Sequence, residues 1–143
     1  MKTYTIITGA SKGIGKAFAF ECAAKKMNLI LVARSAELLT KLADELSATG
    51  VEVKTIAIDL LEAKAADKIF ERIKSEPWNV NMLINNAGIG DHGAFAKQSL
   101  QHQLNTMQLN MNVMVEMAYH FLHNSDKTQK RYILNTASTG AFQ

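Results

Sequence analysis

The chain has 143 residues, 48% of them hydrophobic and 20% charged, with one proline, which is the size and balance of one globular domain with a sizeable core. Its net charge of +3 is spread over scattered lysines and arginines, with Lys25–Lys26 and Lys130–Arg131 as the only adjacent pairs, so composition argues against nucleic acid as a partner. The longest apolar run, "LILVA", is far short of the roughly 20 residues of a membrane span, and "MKTYTIITGA" carries no signal-peptide core, so no membrane partner is expected and the cytoplasm is the expected compartment.

The predicted elements alternate. "YTIIT" (4–8) is a short β-rich run that meets glycine at once. Residues 13–26 place Ile14, Phe18 and Cys22 at helical spacing, with Cys22, the lone cysteine, reading as a buried thiol in a reducing compartment. "NLILVA" (28–33) is a continuous apolar strand. Leu38, Leu39, Leu42 and Leu46 share one face of a helix over 35–48, with Ser35 as its N-cap and Gly50 beyond its end. "VEVKTIAI" (51–58) is the third strand. Ala66, Ile69, Phe70 and Ile73 mark a helix that must stop before Pro77. "VNMLI" (80–84) is a strand, "NNAGIGDHG" a loop, 98–123 a long helix and "YILNTA" (132–137) the last strand. Strands alternating with helices imply a parallel sheet covered on both faces, and nothing marks a second domain within 1–143.

The long helix has two apolar stripes. Leu100, Leu104, Met107, Met111, Met114, Ala118 and Phe121 form one; Leu109, Val113 and Met117 form another. A helix apolar on two faces is expected to be buried on both, the second cover being a partner subunit or a neighbouring helix of the same chain.

The chemistry begins at "TGASKGIG" (8–15). Gly9, Gly13 and Gly15 stand between the first strand and the first helix, where a sharp turn, a close backbone approach and a helix N-terminus together suit a dinucleotide pyrophosphate. A tight βα turn without a ligand is the plainer alternative. A P-loop is disfavoured, since no Gly-Lys-Ser/Thr follows. The second strand ends in "LVARS". Sites that prefer NAD place an acid about 20 residues past the glycines; here stand Ala33 and then Arg34. Arginine pairs with a 2′-phosphate through charge-assisted bonds, and Lys12 adds a second cation, so NADPH is expected over NADH. Ordinary surface charges are the alternative for both.

"TGASKGIG", "IDL" (58–60), "NNAG" (85–88), "LNMN" (109–112) and "ILNTAS" (133–138), in this order and spacing, resemble the short-chain dehydrogenase/reductase family along the whole chain. "MKTYTIITGASKGIGKAFA" and "LNMNVMVEMAYHFL" look most like its bacterial subgroup of generic NADP-dependent oxidoreductases. The resemblance implies a Rossmann-like, doubly wound α/β fold with five parallel strands in order 3-2-1-4-5, stopping before the family's last two strands. It implies NADP(H) as cofactor, with Gly9, Ser11, Lys12, Gly13, Ile14 and Gly15 around the phosphates and Arg34 on the 2′-phosphate. Asp59 would take the adenine amino group, Leu60 the ring, and Asn86, Ala87 and Gly88 the ribose. Asn110 would open the long helix and hold a water of the proton relay; Ser138 would bond a substrate carbonyl. Each has a plainer reading: Asp59 as a helix cap, Asn85 and Asn86 as turn residues, Asn110 as a polar residue at a subunit seam. His92 is left aside as a lone loop histidine.

One departure matters. The family's proton donor lies in Tyr-x-x-x-Lys, about a dozen residues after the serine. Four positions beyond Tyr4, Tyr119 and Tyr132 stand Thr8, His123 and Thr136, and the sequence stops five residues after Ser138. The expected function is therefore an NADPH-dependent carbonyl/alcohol oxidoreductase, present as a cofactor-binding part with little turnover of its own. A non-catalytic NADP(H)-binding module is the alternative, and a methyltransferase-like domain is disfavoured because it has no use for "NNAG" and "ILNTAS". Stopping there also leaves an apolar edge strand and a bare helix face, so self-association through 98–123 or 132–137 is expected.

Overall fold

The computed structural model describes residues 2–90 and 93–138. Five strands, β1 (Thr3–Thr8), β2 (Asn28–Ala33), β3 (Val53–Ala57), β4 (Asn79–Asn85) and β5 (Tyr132–Asn135), form one sheet in the order β3-β2-β1-β4-β5, and every pairing is parallel. The connections are helical: α1 (Gly13–Ala24), α2 (Ala36–Ser47), α3 (Ala65–Lys74), and a compound helix made of α4 (Leu100–Met107), a π-helical turn (Gln108–Asn112) and α5 (Val113–Asn124), preceded by a 3₁₀ turn at Phe95–Lys97. The chain works outward from β1 to β3, then crosses to the other side of β1. That reversal lies between β1 and β4, where their carboxyl ends part and leave a crevice.

Alternation of side chains along the central strands builds two cores. Ile6, Ile30 and Val32 face α3 and α5, meeting Ile69, Phe70, Val113, Met117 and Phe121. Ile7, Leu29 and Leu31 face α1 and α2, meeting Ala19, Cys22, Leu39, Leu42 and Leu46. α1 buries only small residues, Gly15, Ala19, Cys22 and Ala23, so it lies close on the sheet and carries its N-terminus to the crevice. Cys22 is buried, as expected, and burial is the main cause that pushes its thiol pKa up. Ser35 caps α2, its Oγ accepting the Leu38 N–H at 3.3 Å.

The structure differs from the sequence reading in three places. β3 begins at Val53 because Val51 and Glu52 are still crossing from α2, with the Glu52 carbonyl already accepting the Leu29 N–H at 2.9 Å. β5 ends at Asn135; Thr136 to Ser138 continue as loop, with the Thr136 N–H held by the Asn85 carbonyl at 2.9 Å. The long helix is not one α-helix but two joined by a π turn. Its buried face is Val113, Met117 and Phe121 with Leu109 packed against it, so Phe121 belongs to the Leu109 stripe, at the same four-residue spacing. The other stripe is largely open: Leu100 is 72% exposed and Met111 57%. Apolar periodicity shows that a face is apolar; here Ala118 packs against the core, while Leu100, Leu104, Met107 and Met111 stay exposed. No helix among the described residues is long and apolar enough to cross a membrane.

Candidate functional site

The crevice at the carboxyl ends of the strands has a volume of about 640 Å³. Its floor is the turn after β1, where Gly9 and Gly13 have φ of +65° and +52°, a conformation that L side chains pay to adopt. A Cβ on Gly13 would meet nothing within 4 Å, so that position faces open space, whereas a Cβ on Gly15 would stand 2.3 Å from the Gly9 carbonyl oxygen and 2.5 Å from Asn86 Nδ2. Gly13 thus keeps room for a ligand and Gly15 keeps the turn packed on the end of β4. Lys12, the N-cap of α1, makes no side-chain cap, and the first turn of α1 holds no acid. Its leading N–H groups and the positive end of its dipole therefore face the crevice without an internal anion. α2 differs: Ser35 caps it and Glu37 sits in its first turn.

A knot of hydrogen bonds fixes the rim. Thr8 Oγ accepts the N–H groups of Asn86 (2.9 Å) and Ala87 (3.0 Å) and donates to the Ile84 carbonyl (3.4 Å). Asn86 Nδ2 donates to the carbonyls of Thr8 (3.1 Å) and Gly9 (3.4 Å). Asn86 therefore clamps the glycine turn to the end of β4.

Of the predicted cofactor residues, Gly9, Ser11, Lys12, Gly13, Ile14, Arg34, Asp59, Leu60, Asn86, Ala87 and Gly88 all line this one crevice. Gly15 is buried beneath it. Lys12 and Arg34 come together on the same crevice from different loops. Asp59 is partly committed, one carboxylate oxygen accepting the Leu61 N–H at 3.0 Å in a local turn; it does not cap the following helix, since α3 begins at Ala65 with Lys64 as its N-cap. Sequence reasoning missed Ser35, Leu38, Ile58, Leu61, Ile89, His102, Asn105 and Leu109, which also line it. Ser35 was visible as the residue after Arg34; the α4 residues carry no local signal, because only the fold brings them there.

A second, adjoining crevice of about 680 Å³ shares Ile14, Asn86, Ala87, Gly88 and Ile89 with the first and continues past Thr106, Asn110 and Met114 to Thr136, Ala137 and Ser138. Asn110 and Ser138, the two predicted reaction residues, line this crevice. Asn110 sits in the π turn. Its Oδ1 accepts the Ile89 N–H at 2.9 Å and its Nδ2 donates to the Ile89 carbonyl at 2.7 Å, a two-point clasp between helix and "NNAG" loop. π turns commonly mark functional positions. Asn85 Nδ2 donates to Asn135 Oδ1 (3.0 Å) and the Met114 carbonyl (3.3 Å), tying β4, β5 and α5 at the foot of the Ser138 loop. His92 and residues 139–143 lie outside the described residues, and among the described residues no cluster of side chains suits a metal ion.

Residues 3–143 match the family model described as short chain dehydrogenase. The chain is 33% identical over 146 aligned positions to the human 17-beta-hydroxysteroid dehydrogenase type 3, an alignment covering 96% of this chain and 45% of that protein. The short-chain dehydrogenase from Sphingobium yanoikuyae, solved in complex with NADPH, superposes with a TM-score of 0.86 at 29% identity, covering 98% of this chain and 55% of that one. The L-sorbose reductase from Gluconobacter frateurii, solved with NADPH and L-sorbose, gives 0.90 at 27% identity, over 98% and 54%. The chain therefore spans about half the length of the relatives it matches.

Proposed function

Because the chain belongs to the short-chain dehydrogenase/reductase family, we propose that it is the cofactor-gripping part of an NADPH-dependent carbonyl/alcohol oxidoreductase, of the kind met in the NADP-preferring bacterial subgroup. The observation that carries this reading is the meeting of Lys12 and Arg34 on one crevice, above an uncapped helix N-terminus, with no acid at the end of β2. The glycine turn fits a pyrophosphate sterically: Gly13 leaves its space open and the α1 N–H groups supply donors. Arg34 and Lys12 meet the 2′-phosphate, Asp59 and Leu60 the adenine, and Asn86, Ala87 and Gly88 the ribose.

When bound, the cofactor supplies or accepts a hydride. The chain's own residues do the rest. Ser138, on the loop after β5, donates to a carbonyl oxygen in the adjoining crevice. Asn110, in the π turn, clasps Ile89 and so fixes the loop after β4 that would border the bound cofactor. The acid that would protonate the oxygen is not among these residues, since no tyrosine here stands four positions before a lysine. The apolar outer face of α4 and α5 is the proposed surface for self-association, which light scattering over a concentration series tests: a monomer throughout removes it.

Thermal shift against NADPH and NADH decides the main reading. NADPH should raise the melting temperature more than NADH at equal concentration, and equal shifts would remove the role of Arg34 and Lys12. Carbonyl reduction by this chain should be barely measurable, because a missing positioned acid alone costs about 10²–10⁴-fold; substantial turnover would place the acid elsewhere.

A further inference from the structure

We infer that Thr136 is a positioning residue for Ser138: its hydroxyl ties the loop that carries the serine to the glycine turn, through the side chain of Asn86. This deepens the cofactor reading above and rests on it, since it needs the glycine turn to hold a phosphate of the dinucleotide. β5 ends at Asn135, which stands in register with Asn85, the last residue of β4. Beyond that rung the sheet no longer dictates the path of the chain. Asn85 Nδ2 donates to Asn135 Oδ1 at 3.0 Å and anchors the strand end, and the Thr136 N–H reaches the Asn85 carbonyl at 2.9 Å. These bonds carry the pairing just past the strand, to Thr136, and Ser138 follows in the same loop.

The Thr136 side chain adds a contact of another kind. Its Oγ lies 3.4 Å from Asn86 Oδ1. The polarity of that contact is set by the rest of the amide. Asn86 Nδ2 donates to the carbonyls of Thr8 at 3.1 Å and Gly9 at 3.4 Å, so the nitrogen faces the glycine turn and the oxygen faces the loop after β5. An amide oxygen only accepts, hence the Thr136 hydroxyl donates. One planar amide therefore joins the turn that floors the first crevice to the loop that carries Ser138 in the second, and its oxygen cannot stay still when its nitrogen moves. The contacts to Gly9 and to Thr136 are both 3.4 Å, long for hydrogen bonds. Each has room to tighten when a phosphate draws in the N–H groups of the turn, as contacts of a site commonly do on binding. Asn86, Thr136 and Ser138 all line the second crevice, so the link runs beside the place proposed for a carbonyl substrate. An apolar side chain at 136 would keep the backbone bond to Asn85 and lose this link alone.

The test uses adenosine 2′,5′-bisphosphate, the adenosine end of NADPH, which carries no nicotinamide to touch Ser138 directly. It is titrated into the isotope-labelled chain while the backbone amide resonances are followed by NMR. In the unaltered chain the amides of Gly13, Gly15 and Ser138 should shift along one saturation curve, while those of Lys54 and Thr55 in β3, which line neither crevice, stay still. Thr136→Val keeps the shape and removes the hydroxyl. It should bind the bisphosphate with unchanged affinity and move Gly13 and Gly15 as before, but the Ser138 shift should be lost, down to the level of Lys54. Thr136→Ser, which returns the hydroxyl, should restore it. A residue that only supported the fold would change the melting temperature and leave this shift in place. Thr136→Ala serves if the valine variant fails to fold by circular dichroism. A Ser138 shift that survives in the valine variant, that is not restored by serine, or that is missing from the unaltered chain while the glycines respond overturns the link and leaves the cofactor reading standing. If neither the glycines nor Ser138 respond in the unaltered chain, both are overturned.

Discussion

The two sides of the switch point are built differently. On the β1–β2–β3 side, each of β1 and β2 is buried over five of six positions, two helices pack across one face, and the rim is a glycine turn with no spare volume under Gly15. On the β4–β5 side, the outer strand is open, with Tyr132 53% exposed, and the rim is held by amide side chains: Asn85 to Asn135, Asn110 to Ile89, and Thr136 Oγ to Asn86 Oδ1 at 3.4 Å. One rim is fixed by steric exclusion and backbone packing, the other by hydrogen bonds worth about 1 kcal/mol apiece. The first should fail abruptly when an atom is added; the second should loosen one bond at a time.

The sharpest way to break that contrast is Gly15→Ala. A methyl group 2.3 Å from the Gly9 carbonyl oxygen has backbone on that side, which cannot rotate away. Overpacking of this kind costs about 3 kcal/mol, and the turn should lose its grip on NADPH altogether; chemical denaturation with a parallel NADPH titration reads both. Gly13→Ala is the control: φ of +52° costs roughly 1–2 kcal/mol, with no clash. A Gly15→Ala chain as stable as the parent would show that the first rim is not sterically fixed. Next in size is Arg34→Ala. Removing a charge-assisted partner should weaken NADPH about 10–100-fold while leaving NADH unchanged, as read by fluorescence titration; a parallel loss for both nucleotides would mean that the residue supports the fold and not the 2′-phosphate. On the other rim, Asn110→Leu removes both partners of Ile89, whose backbone then loses a donor and an acceptor bond. The expected cost is about 2 kcal/mol, with the sheet core intact and hydrogen exchange rising first in the loop after β4. Exchange rising first in the glycine turn would reverse the assignment of the two rims.

How much of this was legible follows the same division. The left rim can be read from sequence because its cause is local: Gly9, Gly13 and Gly15 are next to one another in the chain, and Arg34 is the residue that follows a continuous apolar strand. The strand order also follows from pattern, since a βα repeat allows few parallel arrangements. The right rim is less legible. The π turn at Gln108–Asn112 leaves no mark in a pattern counted at 3.6 residues per turn, so periodicity reads 98–123 as one helix and puts Phe121 on the stripe of Leu100 and Met111, although it faces the core with Met117; only the family resemblance pointed to an opening at Asn110. Asn105 lines the crevice only because α4 crosses over it, a consequence of tertiary placement that no spacing reveals. Asn85 was readable as a turn residue, but its partner, Asn135, lies fifty residues on.

The smallest expected effect lies at the opposite end of the well-packed side. At the foot of the sheet Tyr4, from β1, donates its hydroxyl to Glu52 at 2.5 Å, and Lys2 pairs with the same carboxylate. Asn28 stitches between them, its Nδ2 donating to the Thr3 carbonyl (3.2 Å) and its Oδ1 accepting the Glu52 N–H (3.0 Å). Burial first, then the bond to Glu52 and its charge, push the Tyr4 phenol up to about 12, while Lys2 chiefly, then Tyr4, hold Glu52 below the usual carboxylate range. A group whose folded pKa is raised gives stability that is complete below its unfolded value, about 10 for tyrosine, and that is lost as pH climbs toward the folded value. Glu52 has the opposite sign: its contribution holds above the ordinary carboxylate pKa and fades as pH falls through the lowered one. Tyr4→Phe should therefore change the melting temperature little at pH 7, yet flatten the fall in stability between pH 10 and 12 that the parent shows. It should also begin losing the Glu52 contribution at a slightly higher pH on the acid side. Equal slopes for parent and variant in the alkaline range would mean that the phenol ionises as freely in the folded chain as in the unfolded one, and the foot of this half would then be held by packing alone.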